Sequence, residues 1–257
     1  MSDKTKIRTA DHTWNPWIGC NPISEGCAHC YAEAMHRTKP WTPDFSVVTR
    51  AKTTWKNPLR WQKEAEAEGR VGMVFCASLS DFFHPAADQW RAEAWKIVKS
   101  TPNLVWRFTM KRVELVADRL PADWGDGYPN CWIGTTWETK KHLWRLDALR
   151  AIPAAGRYAA IEPLLGNLTP DLADHLDEID WVVLGGETGN GHRPMDAQWA
   201  RDIRDLYQAR GIAFWFLGHG GTHQKETLLD GVEHAAFPAK LAAYREGMRP
   251  CFQAAAA

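Results

Sequence analysis

The chain of 257 residues carries no net charge, with 31 Lys and Arg balancing 31 Asp and Glu. Bulk attraction to polyanions is therefore absent, and nucleic acid would need a local basic groove. No stretch approaches the roughly 18 consecutive apolar residues of a membrane span, and the polar opening Met1-Ser2-Asp3-Lys4-Thr5-Lys6 leads into no apolar secretion core. The expectation is a cytosolic protein without a membrane partner. No internal repeat is visible, which argues against solenoids and propellers. The one low-complexity stretch is the alanine run at 254–257, within a tail at 253–257 that is expected to fray. Cysteine is sparse for a disulfide scaffold: there are six, and three of them crowd into residues 20–30. What is present is ordinary for a globular protein, 45% apolar and 24% charged. The 15 tryptophans are read mainly as core and rim packing, each with an indole N–H that needs an acceptor.

Short apolar runs alternate with helical patterns along most of the chain. After an extended lead at 12–17, strand-length runs occur at 71–79, 104–110, 131–136, 157–161, 181–184 and 212–217. Helical patterns fall at 31–37, 59–68, 87–99, 112–119, 139–150, 170–178 and 196–210. The stretch 39–58, with three prolines, reads as an irregular excursion. Strands alternating with helices imply parallel pairing. About seven strands suggest a full or partial (β/α) barrel, with an open doubly wound sheet as the alternative, in a single α/β domain over 1–257.

Polar or small residues follow almost every strand. Ser78, Ser80 and Asp81 end the second, Thr109, Lys111 and Arg112 the third, and Thr135, Thr136 and Glu138 the fourth. Glu162-Pro163, Gly185-Gly186-Glu187 and the 218–221 stretch Gly-His-Gly-Gly follow the rest. Parallel α/β folds gather such positions on the rim where active sites are built. Taken singly, each also fits a cap or turn. Glu162 and Arg193 suit a ribose, carboxylate or phosphate, or a salt bridge with each other. Lys111 and Arg112 suit a phosphate or a solvated helix start.

The loop at 18–31 holds Cys20, Cys27 and Cys30 as Cys-x6-Cys-x2-Cys. Thiolates suit zinc or an iron–sulfur cluster, and the Cys27/Cys30 pair lies at a helix start, whose N–H groups and dipole favour thiolate. A closed site needs a fourth ligand. Cys76, Cys131, Cys251, His29 and His36 are candidates, and an exogenous ligand is the other. Zinc, a cluster with one open iron, and unmetallated core thiols all remain open. As small apolar residues in or near strands, Cys76 and Cys131 also read as core.

A three-cysteine loop after the first strand of a (β/α) barrel resembles the radical SAM enzymes. More closely, the chain resembles a phage-associated radical-SAM-like family. The matching stretches include Thr13-Trp14-Asn15-Pro16, Gly19-Cys20, Gly26-Cys27, Cys30-Tyr31-Ala32-Glu33, Ser80-Asp81-Phe82-Phe83-His84, Thr109-Met110-Lys111-Arg112, Ile161-Glu162-Pro163-Leu164, Gly185-Gly186-Glu187-Thr188-Gly189 and Arg193-Pro194-Met195. The six-residue gap after Cys20 exceeds the commonest spacing of three and resembles variant branches.

The resemblance implies a barrel of radical SAM type, a [4Fe-4S] cluster on Cys20, Cys27 and Cys30, and S-adenosylmethionine (SAM) on the open iron. It implies cleavage of SAM to a 5′-deoxyadenosyl radical, driven by an external electron donor. Position in the fold puts Ser78, Ser80 and Asp81 at SAM. The run Gly185-Gly186-Glu187 resembles the stretch that meets the SAM amino group, but lies near the sixth strand instead of after the second. With Glu162 and Arg193 these complete the expected cofactor contacts.

The expected substrate is a nucleotide or a modified base in phage DNA, rearranged by an isomerase of thymine hypermodification, in the host cytoplasm if the chain is phage-encoded. A flipped base in a pocket fits a neutral chain better than a long duplex footprint. The alternatives are a radical SAM DNA-repair lyase, a non-catalytic zinc-clipped binding module and an electron carrier. A zinc module needs a fourth protein ligand, and a carrier needs four cysteines and little pocket.

Overall fold

Seven strands lie side by side in chain order, every neighbouring pair parallel. They are β1 (His12–Trp14), β2 (Gly72–Cys76), β3 (Leu104–Met110), β4 (Cys131–Thr136), β5 (Gly156–Ile161), β6 (Trp181–Gly185) and β7 (Ala213–Gly218). The computed structural model describes residues 5–222 and 226–247. β1 and β7 are the sheet's two edges, so the sheet curls into a half barrel: the fold is a single-domain partial (β/α) barrel. The C-terminal tail and Cys251 lie outside the described residues.

Near-continuous burial along these strands is what parallel sheets covered on both faces require. Side chains alternate between two cores. Trp106, Phe108, Ile133, Ile161, Leu184 and Phe216 face the outer core shared with the helices. Val105, Trp132, Tyr158, Trp181, Val183 and Trp215 fill the concave side. Burying a side chain such as Phe108 contributes on the order of 2–3 kcal/mol. Most tryptophans are buried, and Trp17, Trp95, Trp106 and Trp124 donate to acceptors at 2.8–3.1 Å, whereas the buried indole N–H groups of Trp55, Trp137, Trp181 and Trp215 have no acceptor among the described residues.

The helices are α1 (Tyr31–Thr38), α2 (Asn57–Ala67), α3 (Asp88–Lys99), α4 (Trp144–Arg150), α5 (Thr169–Leu172), α6 (Ala197–Gln208) and α7 (Ala239–Gly247). α2 opens with Pro58 and buries Trp61 and Ala65 against β2 and β3. α6 is capped by Asp196, which accepts from the Gln198 N–H at 2.8 Å, and buries Ala200, Ile203 and Tyr207 at helical spacing. None of the described helices is long and apolar enough to cross a membrane.

The structure departs from the sequence pattern in several places, one being the helix expected at 170–178, which is only the four-residue α5 followed by the 3-10 turn Ala173–His175. The helix expected at 112–119 is two 3-10 turns, Val113–Leu115 and Ala117–Arg119. Arg112 is held by the cysteine loop and Pro121 stops the segment, leaving no room for a third turn. Two short antiparallel pairs appear, Trp17–Ile18 with Thr49–Arg50, whose long connection holds the cysteine loop and α1, and the hairpin Leu228–Leu229 with Val232–Glu233. Finally, residues 5–11 form a strap across the concave side: Asp11 N–H donates to Met73 O at 2.9 Å, Arg8 reaches Phe216 O at 3.4 Å and pairs with Glu233, and Arg107 Nη1 donates to Thr9 O at 2.9 Å.

Candidate active site

A cavity of about 500 Å³ opens where the strands end, within the size range of small-molecule sites. The strap forms one wall, the loops after β2 to β6 another, and the cysteine loop covers it: Cys20, Cys27 and Cys30 all line it. All three thiols are free and partly buried.

Each cysteine is placed by a different device. Gly19, at φ +113°, directly follows Ile18 and packs on the chain that leads into Thr49, so a Cβ there would sit 2.7 Å from Val47 O and 2.8 Å from Phe45 O. Only glycine fits there. It leaves the Cys20 N–H bonded to Phe45 O at 2.9 Å, above a small core of Ile18, Ala32, Phe45 and Leu79. Cys27 ends the 3-10 turn Glu25–Cys27, and Cys30 is the N-cap of α1, where unpaired N–H groups favour negative charge.

The surroundings of the thiols are cationic. Arg112 Nη1 lies 3.5 Å from Cys20 Sγ, and the same guanidinium donates to Asn21 O at 2.8 Å and Asp81 Oδ2 at 3.3 Å. Burial and the Asp81 charge nonetheless push the Cys20 thiol up. Burial also acts against the Cys27 thiolate, but backbone hydrogen bonding at Ile23, the Lys111 charge and the Ser24 hydroxyl at 3.7 Å draw its pKa below the usual value. Beneath this limb lies Glu138, fully buried, which accepts from Ser24 Oγ at 2.9 Å, from Lys111 Nζ and from Arg145 Nη1 at 3.3 Å. A buried carboxylate with two cations and a hydroxyl is a satisfied cluster, and it ties the loop to the ends of β3 and β4.

On the opposite side, Glu187 accepts from the Arg193 backbone N–H at 2.8 Å, from its guanidinium, and from His29 Nδ1 at 2.9 Å with the imidazole as donor. Burial alone would push this carboxyl up, yet the Arg193 and His29 hydrogen bonds bring its pKa down to about 2. Arg193 therefore pairs with Glu187 and reaches Glu25 O at 2.9 Å; it does not pair with Glu162.

Of the expected cofactor contacts, the fold brings Ser78, Ser80, Asp81, Glu162, Gly186 and Glu187 to the cavity wall, and leaves Gly185 and Arg193 off it. Gly185 ends β6, its carbonyl taking the Leu164 N–H at 2.9 Å. Gly186 permits a close approach, since a Cβ there would lie 2.2 Å from His219 O. Several of these side chains already have partners. Asp81 accepts from the Phe83 N–H at 2.9 Å as well as from Arg112, Ser80 donates to Trp17 O at 3.1 Å, and Ser78 bonds Asn15 at 3.1 Å. Glu162 differs: its carboxylate, open to the cavity, makes no hydrogen bond or ion pair among the described residues, and its desolvated position pushes its pKa up while Arg107 and Lys111 oppose.

Sequence reasoning passed over Asn15 and Arg107, and placed Glu138 on the rim without its part in holding the loop. Asn15, 1% exposed, accepts from the Leu79 N–H at 2.8 Å and joins the ends of β1 and β2. Arg107 is buried in the concave core beneath the cavity, its guanidinium 4.5 Å from the Trp181 ring centroid and 5.0 Å from that of Tyr158. A polar residue inside or just after an apolar strand was the available signal for both.

The donor set suits a soft metal centre in type and number, three thiols beside cations and a helix start. Among the described residues no three His, Cys, Asp or Glu side chains stand ready to hold a metal, so the thiols share a wall without forming a closed trio. The proposed fourth ligands are mostly engaged or distant. Cys76 and Cys131 lie in the outer core, His36 bonds Thr42 at 2.9 and 3.0 Å, and His29, at the cavity wall, is bonded to Glu187.

Fold and site together define a class: a partial parallel (β/α) barrel with a cysteine-lined cavity at the strand ends. The chain belongs to the family described as protein of unknown function (DUF5131), whose model matches residues 4–244. No curated protein and no solved structure matches it.

Proposed function

We propose that this chain is a radical SAM enzyme acting on a nucleotide or a base in DNA, an isomerase of a base substituent. The observation that carries the reading is the convergence of Cys20, Cys27 and Cys30 on one cavity at the C-terminal rim of a partial barrel. In this reading the three thiolates hold a [4Fe-4S] cluster, and SAM and substrate share the cavity below. The cluster, when bound, supplies the electron that cleaves the SAM sulfonium and so starts hydrogen abstraction from the substrate.

The chain's own residues bind, orient and seal. Glu162 is the free polar group that can take a ribose hydroxyl, an ammonium or a base N–H. Phe75, Val183 and Leu217 present apolar surface that keeps water from a reactive centre. Arg112 with Asp81 steadies the Cys20 limb, and Glu138 with Lys111 steadies the Cys27 limb through Ser24. The loop's outer residues Asn21, Pro22 and Ile23 are exposed, so an external electron donor can approach there.

The test is anaerobic. Protein reconstituted with iron and sulfide is incubated with SAM and a strong reductant, and 5′-deoxyadenosine is quantified for wild type and Cys27→Ala. Product from wild type that disappears in the variant is the expected result. Tightly bound zinc, no acid-labile sulfide and no product would overturn the reading in favour of a zinc-clipped binding module. With thymine-modified phage DNA as substrate, a rearranged base of unchanged mass supports an isomerase, and a lost fragment a lyase.

A further inference from the structure

A second cavity, of about 880 Å³, lies outside the barrel mouth, between residues 48–56 and the start of α3. Its charged lining is Arg50, Lys52 and Lys56 against the single carboxylate Glu93, in a chain with no net charge. Its aromatic lining is Trp55 and Trp90. Lys52 and Lys56 are exposed. Arg50 is oriented from both sides: its guanidinium carbon lies 4.1 Å from the Trp55 ring centroid, and Nη2 lies 2.6 Å from Glu93 Oε2. Trp55 is only 6% exposed and serves as the platform for Arg50, whereas Trp90 is half-buried and keeps surface open to the groove.

The groove is joined to the cysteine loop. Thr49 and Arg50 pair with Ile18 and Trp17, the strand that runs directly into Gly19 and Cys20, and Ala51 N–H bonds Pro16 O at 2.8 Å. Trp90 lies 6.5 Å from Trp17, centroid to centroid. Gln89, Trp90 and Glu93 come from the first two turns of α3, which follows β2, so the groove opens on the same rim as the cysteine-lined cavity.

We infer that this groove binds single-stranded DNA, the basic side chains meeting phosphates and the half-buried Trp90 indole offering a stacking face. Flexible cations beside aromatic faces match the recognition of unpaired strands, because a duplex keeps its base faces stacked inside. The strand held there would run beside the Cys20 limb and bring a neighbouring base to the mouth of the cavity. The choice of DNA rests on the nucleobase reading proposed above.

The experiment is fluorescence anisotropy of a labelled single-stranded DNA of about 20 nucleotides, and of the matching duplex, across roughly 50–200 mM salt. Wild type is compared with Lys52→Glu/Lys56→Glu and with Trp90→Ala, and each protein is also assayed for 5′-deoxyadenosine from SAM without DNA. The single strand is expected to bind more tightly than the duplex. The double variant should bind about tenfold or more weakly, with the slope of log K on log salt reduced by about 1.4, two single-strand phosphate contacts. Trp90→Ala should weaken binding about tenfold with the slope unchanged. All three should form 5′-deoxyadenosine at the same rate, which also shows that the variants fold. Absent binding, equal binding by all three proteins, or preference for the duplex would overturn the assignment. Strand binding by a wild type that makes no 5′-deoxyadenosine would overturn the radical reading and leave the groove standing.

Discussion

Glu187 bonds His29, which lies between two of the loop cysteines, and Arg193, which reaches back to Glu25. Its folded pKa of about 2 lies below the free value of 4.5, so its pairing contributes fully above pH 4.5 and drains as the pH falls towards 2. Glu187→Gln should lower the unfolding free energy by about 2–3 kcal/mol at neutral pH. In urea titrations at pH 7 and pH 3 the gap between the two proteins should be narrower at the acid value; a constant gap would show that the charge is not what matters. At this scale the sequence was partly legible. The cysteines and the rim residues Asp81 and Glu162 stand out because a polar side chain just past an apolar run breaks its pattern. Asn15 and Arg107 carry the same mark, but their roles do not show, because their hydrogen bonds and ring contacts come from partners far away in sequence. Nor could the sequence tell a free carboxylate from a paired one: Glu162 and Glu187 look alike in a row of letters, and only packing separates the open group from the one closed by Arg193 and His29.

The antiparallel pair of Trp17–Ile18 and Thr49–Arg50 has only two residues on each side, yet it fixes where Cys20 stands. Gly19→Ala would force a Cβ against two backbone oxygens in a left-handed turn, so stability should fall by about 1–3 kcal/mol. The reconstituted variant should also hold less iron per chain than wild type, measured after gel filtration. Stability loss with full iron loading would detach the turn from the cluster site proposed above. Strands were the most legible elements: β3 and β4 coincide with their apolar runs, because burial on both faces keeps most positions apolar, Arg107 being the charged exception. The segment after β3 was misread as a helix because periodicity carries no record of Arg112 being tied to the loop. The Asp230-Gly231 turn of the hairpin, with both residues at positive φ, was a signal available but unused.

In the molecule as a whole, β3, β4 and β5 are flanked on both sides and buried, whereas the Leu228–Glu233 hairpin is two residues per strand and largely exposed. Amide hydrogen exchange should therefore be slowest over 104–110, 131–136 and 156–161, near the global unfolding limit, and fastest over 228–233. Protection of the hairpin equal to that of β4 would contradict this order. The alternation of elements announced a barrel-like α/β fold, but an incomplete ring and a closed one share that alternation. The difference lies in whether the first and last strands meet. Here the gap is spanned by residues 5–11, and Lys6, Ile7, Arg8 and Thr9 line the cavity from a stretch that belongs to no sheet. A wall made of strand cannot change its side chains freely, since each is shared with two neighbours and a fixed register. A wall made of strap is freer where it has no such partners, so diversity confined to Lys6 and Ile7 would retune what the cavity admits, while Arg8, paired with Glu233, and the buried Thr9 keep the strap in place.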